Sequence, residues 1–323
     1  MAENEQSAIG NRQSAMAFVF PGQGSQYAGM GKDLAENFPA AKQVFEEADE
    51  ALNFSISRLC FEGPEDVLQL TENTQPAILS VSVAAFRALG AEGFKTPLYV
   101  AGHSLGEYSA LVATGAISLA DGVRTVRARG RFMQEAVPVG TGAMAAVLGG
   151  DRDEIEKACN EASQGQVCSI ANINSPNQVV IAGNSDAVDR AMELLKGIAK
   201  RVIKLNVSAP FHCELMKPAQ DRLDFELEHV AFSEPQAPVV TNVDAQVTTV
   251  PGKLRDALRR QVTAPVRWVE SVELLIQQGV DTFVEVGPGK VLSGLMRQIN
   301  RDVNCVNVED AASLEAARAK LSV

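Results

Sequence analysis

The sequence lacks the features that mark several specialised protein classes. None of its apolar runs reaches the roughly 18 residues that a membrane-spanning helix needs. Its first seven residues contain neither the basic region nor the apolar core of a signal peptide. Its five cysteines are odd in number, scattered and without a Cys-x-x-Cys pair, at Cys60, Cys159, Cys168, Cys213 and Cys305. We therefore expect reduced thiols in a cytoplasmic protein without a membrane partner, rather than disulfides or a zinc site.

Positive charge and metal-ligand spacing are also scarce. The 323 residues include 29 lysines and arginines against 40 acidic residues, a net charge of −11, which argues against a nucleic-acid partner. The three histidines are dispersed, so no metal site is predicted. Residue 27 is tyrosine where a dinucleotide fingerprint needs glycine, and Gly287-Pro-Gly289-Lys290 lacks P-loop spacing. No metal or cofactor is therefore expected.

The order of apolar and helical segments predicts an α/β protein. A hydrophobic content of 46% and a charged content of 21% are ordinary for a globular chain, and its length allows one large domain or two smaller ones. Strand-like and helical runs alternate, which favours a mainly parallel sheet. Residues 140–207 instead follow the order β-α-β-β-α-β, which is typical of a ferredoxin-like fold. We expect this subdomain to be inserted between residues 15–139 and 208–323, after a disordered leader at 1–14.

The segment Val-Ala-Gly-His-Ser-Leu-Gly-Glu-Tyr-Ser at 100–109 is the most specific local signal. Gly-x-Ser-x-Gly between an apolar run and a helical run predicts a strand, a sharp turn and a helix, with the Ser104 hydroxyl exposed at the sheet edge. Gly102 and Gly106 fit this turn because a Cβ atom would collide where the chain doubles back. Free N–H groups at the helix start could stabilise negative charge there. The segment indicates a serine acyl-transfer enzyme.

A nucleophilic serine needs a base, and the chain offers three histidines. His103 is adjacent to Ser104, and neighbouring side chains on a turn point apart. His229 ends a helical run, where histidines commonly complement the helix dipole. His212 follows a predicted strand in the loop Ser-Ala-Pro-Phe-His, so we predict that it is the base; the alternative is a loop histidine bonded to a backbone carbonyl.

No acidic residue completes a standard triad in the sequence. The acids between Ser104 and His212 lie in helices after the turn or inside the predicted insertion. An α/β-hydrolase places its acid between serine and histidine in chain order, so that arrangement fits poorly. We predict a Ser–His dyad whose imidazole is oriented by a main-chain carbonyl.

One arginine lies on the apolar side of a predicted helix. At about 100° per residue, Arg124, Arg127 and Arg131 share one solvated stripe of the helix at 118–136, whereas Arg129 falls on the opposite, apolar face. A buried guanidinium needs an anion, because an unpaired buried charge is costly. That anion is either an internal acid or a substrate carboxylate. The second alternative, beside a nucleophilic serine, indicates a dicarboxylic acyl donor.

Five segments, in this order, resemble the malonyl-CoA:acyl carrier protein transacylase family. They are Phe-Pro-Gly-Gln-Gly-Ser-Gln at 20–26, Gly-His-Ser-Leu-Gly-Glu-Tyr-Ser-Ala at 102–110, Arg-Gly-Arg-Phe-Met-Gln-Glu at 129–135, Ser-Ala-Pro-Phe-His at 208–212 and Glu-Val-Gly-Pro-Gly at 285–289. The resemblance runs from about residue 16 to 300. It implies a large α/β-hydrolase-like subdomain with a smaller ferredoxin-like one. It also implies ping-pong transfer of malonyl from malonyl-CoA to the phosphopantetheine thiol of acyl carrier protein, supplying fatty acid or polyketide synthesis.

The resemblance assigns six site residues by motif. They are Ser104 as the acylated nucleophile, His212 as its base, Arg129 as the holder of the malonyl carboxylate, Gln23 and Leu105 as backbone donors of an oxyanion hole, and Gln261 as the residue that orients the histidine through its main chain. The elbow rule independently makes the residue after the nucleophile a donor.

Several expectations remain alternatives at this point. The segment Ala209-Pro210-Phe211 before the histidine departs from many members of the family it resembles, and a bulky Phe211 would crowd an α-methyl group, which favours malonyl over methylmalonyl. Lys200 and Arg201 either contact coenzyme A phosphates or the acidic carrier protein, or form an ordinary solvated pair. A monomer is expected. The competing functions are a thioesterase or esterase of related fold and a non-catalytic carrier-protein docking module.

Overall fold

The computed structural model describes residues 15–207 and 209–321. The predicted leader at 1–14 lies outside these described residues. Within them, no helix combines the length and the apolar character that a membrane crossing requires.

The described residues form ten strands. In chain order these are β1 (Met16–Phe20), β2 (Tyr99–Gly102), β3 (Gly142–Leu148), β4 (Cys168–Ser175), β5 (Gln178–Asn184), β6 (Arg201–Lys204), β7 (Val239–Val240), β8 (Val247–Thr248), β9 (Thr282–Val286) and β10 (Asn304–Val308).

Fourteen α-helices connect and cover these strands in the described part of the chain. They are α1 (Lys32–Asn37), α2 (Pro39–Leu52), α3 (Ile56–Glu62), α4 (Glu65–Leu68), α5 (Thr71–Ala91), α6 (Leu105–Ala113), α7 (Leu119–Glu135), α8 (Arg152–Ser163), α9 (Ser185–Leu195), α10 (Lys217–Glu228), α11 (Pro251–Gln261), α12 (Trp268–Gln277), α13 (Val291–Ile299) and α14 (Ala311–Leu321). A short 3₁₀ turn, Glu214–Met216, precedes α10.

The larger sheet has the strand order β10-β9-β1-β2-β7-β8 and is parallel except for the β7–β8 pair. Alternate residues of β1 face two different cores: Phe18 and Phe20 pack against one set of helices, whereas Ala17 and Val19 pack against another. Burial on both faces is what a parallel sheet between helices requires. The predicted α/β class with a mainly parallel, hydrolase-like sheet is confirmed.

The register of β1 and β2 positions the site. Phe20 pairs with Gly102, so the loop after β1 and the turn after β2 emerge side by side at the carboxyl edge of the sheet. Ligands of open α/β sheets bind at such an edge. The helix α7, which carries Arg129, begins with the predicted cap: Ser118 Oγ accepts from the Asp121 N–H at 3.0 Å.

The smaller sheet is antiparallel, with strand order β4-β5-β3-β6. Its core against α8 and α9 includes Ile155, Val188 and Ile181, and its opposite face packs toward Cys213 of the larger subdomain. This is the predicted ferredoxin-like arrangement, whereas its boundaries at 140 and 207 stay predictions. Strand β4 also bridges to the larger subdomain, because the Ile173 N–H donates to the Val266 carbonyl at 2.9 Å.

Candidate active site

The turn between β2 and α6 has the backbone of a nucleophile elbow. Ser104 adopts φ 52° and ψ −108°, a strained conformation that projects its side chain from the sheet edge. A Cβ atom at Gly102 would overlap the Gly106 carbonyl, and one at Gly106 would overlap the Phe20 carbonyl. Only glycine fits at both positions. The close approach of the backbone at this sharp turn therefore accounts for both glycines and for the strained backbone of Ser104.

Ser104 and His212 are 108 residues apart in the chain and in direct contact in the fold. Ser104 Oγ lies 2.7 Å from His212 Nε2, and His212 Nδ1 lies 2.8 Å from the Gln261 carbonyl oxygen. A carbonyl only accepts, so Nδ1 carries the proton and Nε2 is left to accept the serine proton. In the described part of the chain no carboxylate bonds to this imidazole. The geometry is a dyad oriented by a main-chain carbonyl.

The other two described histidines turn elsewhere. His103 Nε2 lies 2.8 Å from Asn174 Oδ1 on β4, and its ring packs edge-on against Trp268. His229 takes no part in the site. Its Nδ1 donates to the Phe225 carbonyl at the exposed end of α10. The structure therefore brings only His212 to the serine.

The environment of His212 keeps its imidazole neutral. Burial and the nearby Arg129 guanidinium lower the pKa of His212 to about 3. A neutral imidazole is the form that can act as a base.

This pKa predicts an unusual pH dependence. The rate of enzyme acylation by malonyl-CoA should stay flat as the pH falls from about 8 to about 5, because His212 gains a proton only near its lowered pKa of about 3. Single-turnover acylation across this range is the measurement. In an Arg129→Leu variant any acid limb should move upward, because a positive charge is removed. An acid limb centred at the ordinary histidine pKa, about 6.5, in the unmodified enzyme would contradict this assignment.

Arg129 reaches the serine from α7. Its side chain is only 2% exposed. Nη1 donates to Gln75 Oε1 at 2.8 Å, and Nη2 donates to Ser104 Oγ at 3.1 Å and Gln261 Oε1 at 2.9 Å. Its buried Nε has no hydrogen-bond partner. Neutral oxygens thus hold a full positive charge beside the serine.

No internal acid neutralises this guanidinium directly. Among the described residues, no carboxylate oxygen lies within 4.0 Å of Arg129, whereas its helix neighbour Arg124 pairs with Asp121 at 3.5 Å. The internal ion pair considered from the sequence is therefore absent from this part of the chain. A buried guanidinium with a spare donor is suited to an incoming carboxylate.

The two predicted oxyanion donors lie next to Ser104, one at the start of the elbow helix and one in the neighbouring loop. Leu105 is the first residue of α6, and Gln23 lies in the loop after β1, which the His103 N–H ties to the elbow through the Phe20 carbonyl at 3.0 Å. Neither the Gln23 nor the Leu105 N–H donates to a protein acceptor in the described chain. Both residues line the same cavity as the serine.

A cavity of about 490 Å³ contains these groups. Ser104, Arg129 and His212 line it from the larger subdomain, and Asn172 and Val180 line it from the smaller sheet. The site therefore lies between the carboxyl edge of one sheet and a face of the other. Phe211 also lines the cavity.

Three side chains that support the site were missed from the sequence. Asn242 Oδ1 accepts from the Ser104 N–H at 2.7 Å, and its Nδ2 donates to the Gly102 carbonyl at 2.6 Å, which fastens the elbow. Gln75 holds Arg129. Glu107 lies behind them, 1% exposed, and burial raises its pKa to about 7. Only Glu107 left a usable signal, since it is an acid in the first turn of the elbow helix.

Gln261 contributes more than the main-chain carbonyl that the resemblance implied. Its side chain is fully buried at the end of α11. Oε1 accepts from Arg129, while Nε2 donates to the Ser104 carbonyl at 3.0 Å and to Glu107 Oε2 at 2.9 Å. One residue therefore contacts the serine backbone, the arginine and the histidine.

The described residues contain no group of three or more His, Cys, Asp or Glu side chains placed to hold a metal ion. The five cysteines are buried free thiols.

Comparison with known proteins places the chain among acyltransferases. A family model described as the acyl transferase domain matches residues 17–317. A malonyl CoA-acyl carrier protein transacylase from Escherichia coli strain K12 is 53% identical over 272 residues, 84% of this chain and 88% of the relative. One from Bacillus subtilis strain 168 is 49% identical over 306 residues, 94% of this chain and 96% of the relative.

Solved structures agree with these relatives. The crystal structure of an acyl carrier protein S-malonyltransferase from Vibrio cholerae has a TM-score of 0.92 at 50% identity, covering 94% of this chain and 100% of the other. A type II PKS acyl-carrier protein in complex with its malonyl-transacylase gives a TM-score of 0.93 at 49% identity, covering 95% and 100%.

Proposed function

The chain belongs to the acyl transferase family, and we propose that the cavity around Ser104 transfers malonyl from malonyl-CoA to the phosphopantetheine thiol of acyl carrier protein. This acyltransferase activity supplies malonyl units to fatty acid or polyketide synthesis. The observation that carries it is the buried Arg129, which has a spare donor, no internal acid within 4.0 Å, and a hydrogen bond to the serine hydroxyl.

The first half-reaction acylates the serine. His212 Nε2 takes the proton as Ser104 Oγ attacks the thioester carbonyl, and the N–H groups of Gln23 and Leu105 donate to the developing oxyanion. Loss of one such donor typically costs about 3–4 kcal/mol of transition-state stabilisation. Collapse of the tetrahedral intermediate breaks the carbon–sulfur bond, and the proton on His212 passes to the departing coenzyme A thiolate.

The second half-reaction runs the same chemistry in reverse. His212 takes the proton of the phosphopantetheine thiol, and the thiolate attacks the malonyl-serine ester. The proton then returns to Ser104 Oγ as the ester bond breaks, which regenerates the free enzyme. No external oxidant, metal or cofactor enters this balance.

Arg129 selects the acyl group in this account. A guanidinium binds a carboxylate through two parallel charged hydrogen bonds, and Arg129 lines the same cavity as Ser104. Phe211 in the cavity wall narrows the space beside the α-carbon, which favours malonyl over methylmalonyl.

The competing functions differ in their products. A thioesterase of related fold would release malonate with water as the acceptor, and a docking module would form no product. The 2.7 Å Ser104–His212 contact supports catalysis over docking. Following malonyl-CoA with and without carrier protein separates them: we expect malonyl carrier protein to form much faster than free malonate, and rapid malonate release would favour the esterase.

The basic pair before the strand that leads to His212 belongs to this proposal as a carrier-protein contact. Lys200 and Arg201 are both exposed at the start of β6. Lys200→Glu combined with Arg201→Glu should raise the KM for carrier protein by about three- to tenfold at low salt, because like charge then faces an acidic partner. Steady-state kinetics with varied carrier protein measures it.

A matched control is the double charge reversal of Lys32 and Lys42 on α1 and α2, which should leave that KM unchanged. An unchanged KM in the Lys200/Arg201 variant at low salt would remove the docking role. A cytoplasmic location, which suits five buried free thiols, is part of the same proposal.

A further inference from the structure

Glu107 lies directly behind the reacting side chains, yet it touches none of the reacting atoms. Its Oε2 accepts from the Asn242 N–H at 3.0 Å and from Gln261 Nε2 at 2.9 Å, and its Oε1 has no partner. A buried carboxylate is expensive, so a side chain that keeps one here needs a reason. We propose that Glu107 is a positioning residue for Arg129, acting through the side-chain amide of Gln261.

The two ends of the Gln261 side-chain amide differ in hydrogen bonding. An amide has one accepting oxygen and one donating nitrogen, and a half-turn exchanges them. Gln261 Nε2 faces three acceptors, Glu107 Oε2 at 2.9 Å, the Ser104 carbonyl at 3.0 Å and Asn242 Oδ1 at 3.4 Å, so Oε1 is turned toward Arg129 Nη2 at 2.9 Å. The reversed amide would point its NH₂ at the guanidinium donors. Glu107 accepts the shortest of these three hydrogen bonds and carries the only acidic acceptor among them, so it stabilises the orientation in which Gln261 holds Arg129.

Loss of this amide orientation should impair the binding of the substrate carboxylate by Arg129 more than acyl transfer by the Ser104–His212 dyad. Arg129 Nη2 donates to both Gln261 Oε1 and Ser104 Oγ, so a loosened amide lets the guanidinium drift from the place where a substrate carboxylate must lie. Transfer of an acyl group without a carboxylate depends on the dyad but not on that placement. The inference rests on the proposed carboxylate role of Arg129. Glu107 therefore governs selectivity for malonyl over acetyl.

Two variants of Glu107 separate the effect of its side-chain length from the effect of its negative charge. Glu107→Gln keeps an oxygen within reach of both donors, whereas Glu107→Asp keeps the carboxylate but withdraws it by one methylene group. We expect Glu107→Asp to lower the ratio of kcat/KM for malonyl-CoA over acetyl-CoA by about tenfold or more, as loss of a hydrogen bond to a charged group does. Glu107→Gln should keep that ratio within about threefold of the unmodified enzyme.

A matched control uses another buried glutamate. Glu285 on β9 is fully buried, and its carboxylate accepts from the Leu292 and Ser293 N–H groups at the start of α13. Glu285→Asp should lower activity toward both substrates in parallel, because it perturbs the fold without touching Arg129. Thermal unfolding of each variant establishes that the compared enzymes are folded.

The ratio of kcat/KM for malonyl-CoA over acetyl-CoA in the two Glu107 variants decides the proposal. A ratio that falls in Glu107→Asp and is retained in Glu107→Gln supports positioning through the amide. An unchanged ratio in Glu107→Asp, or an equal fall in both variants, overturns it. Arg129→Ala is measured alongside: if that variant leaves the ratio unchanged, the carboxylate role itself fails, and if it alone lowers the ratio, only the role of Glu107 fails.

Discussion

Replacing Ser104 by alanine is expected to lower malonyl transfer by a factor on the order of 10⁶, the size of loss seen when a nucleophilic serine is removed from a working dyad or triad. The hydroxyl is the only group of the enzyme that forms a covalent bond with the acyl group in the proposed reaction. The alanine variant also loses the contacts of Ser104 Oγ with His212 Nε2 at 2.7 Å and with Arg129 Nη2 at 3.1 Å. The rate of malonyl carrier protein formation measures the loss.

The same helix supplies a matched control. Ser109 is buried on α6, and its Oγ has no hydrogen-bond partner. Ser109→Ala should therefore retain activity close to that of the unmodified enzyme. Substantial transfer by Ser104→Ala would move the nucleophile elsewhere in the molecule.

Arg129→Ala is expected to change which substrate the enzyme prefers. Truncating one partner of a buried, hydrogen-bonded charge pair costs about 2–5 kcal/mol, which is roughly 30- to 4,000-fold in kcat/KM for malonyl-CoA. Acetyl-CoA has no carboxylate, so its kcat/KM should fall far less and reflect only the lost contacts of Arg129 with Ser104 Oγ, Gln75 and Gln261. The two values, measured on the same preparation, give the selectivity directly.

Arg131 tests whether a positive charge on this helix is enough. It lies two residues further along α7 and is exposed. Arg131→Ala should leave both kcat/KM values unchanged. Equal losses for malonyl-CoA and acetyl-CoA in Arg129→Ala would contradict carboxylate recognition and leave Arg129 as a structural support of the serine.

The sequence predicted the parts of the site that depend on local geometry. Gly102 and Gly106 have no room for a Cβ atom, so the elbow could be inferred from the Gly-x-Ser-x-Gly motif and the runs that flank it. The helical period put Arg129 on the apolar face of α7, where it is 2% exposed. The choice of His212 required only elimination among three histidines.

The supporting contacts could not be predicted from spacing. Asn242 and Gln261 lie 138 and 157 residues from Ser104, and they meet it only because β2, β7 and α11 converge. An asparagine or glutamine in a loop or helix end carries no local sign of such a partner. His212 itself adopts a positive φ of 60°, which no residue pattern indicates.

In the fold, too, elements set by local sequence were predicted, whereas those that depend on distant pairing were not. The helix predicted to follow the elbow is observed as α6, because the strand, turn and helix of the elbow are set by local sequence. The helical pattern of residues 31–52 predicts one helix, and this prediction is wrong: Phe38 is extended and Pro39 starts a new helix, since the residue before proline avoids the helical conformation. Strand β10 and helix α14 were not predicted, and β10 is defined by its pairing with β9.

The most direct test of the account is to locate the malonyl group on the enzyme and follow its fate. The enzyme is mixed with malonyl-CoA, digested, and its peptides are analysed by mass spectrometry before and after holo acyl carrier protein is added. The account predicts a malonyl ester on Ser104 that persists in water and disappears as malonyl carrier protein forms. An adduct on any other residue, or a Ser104 adduct that decays to malonate at a rate independent of carrier protein, would contradict it.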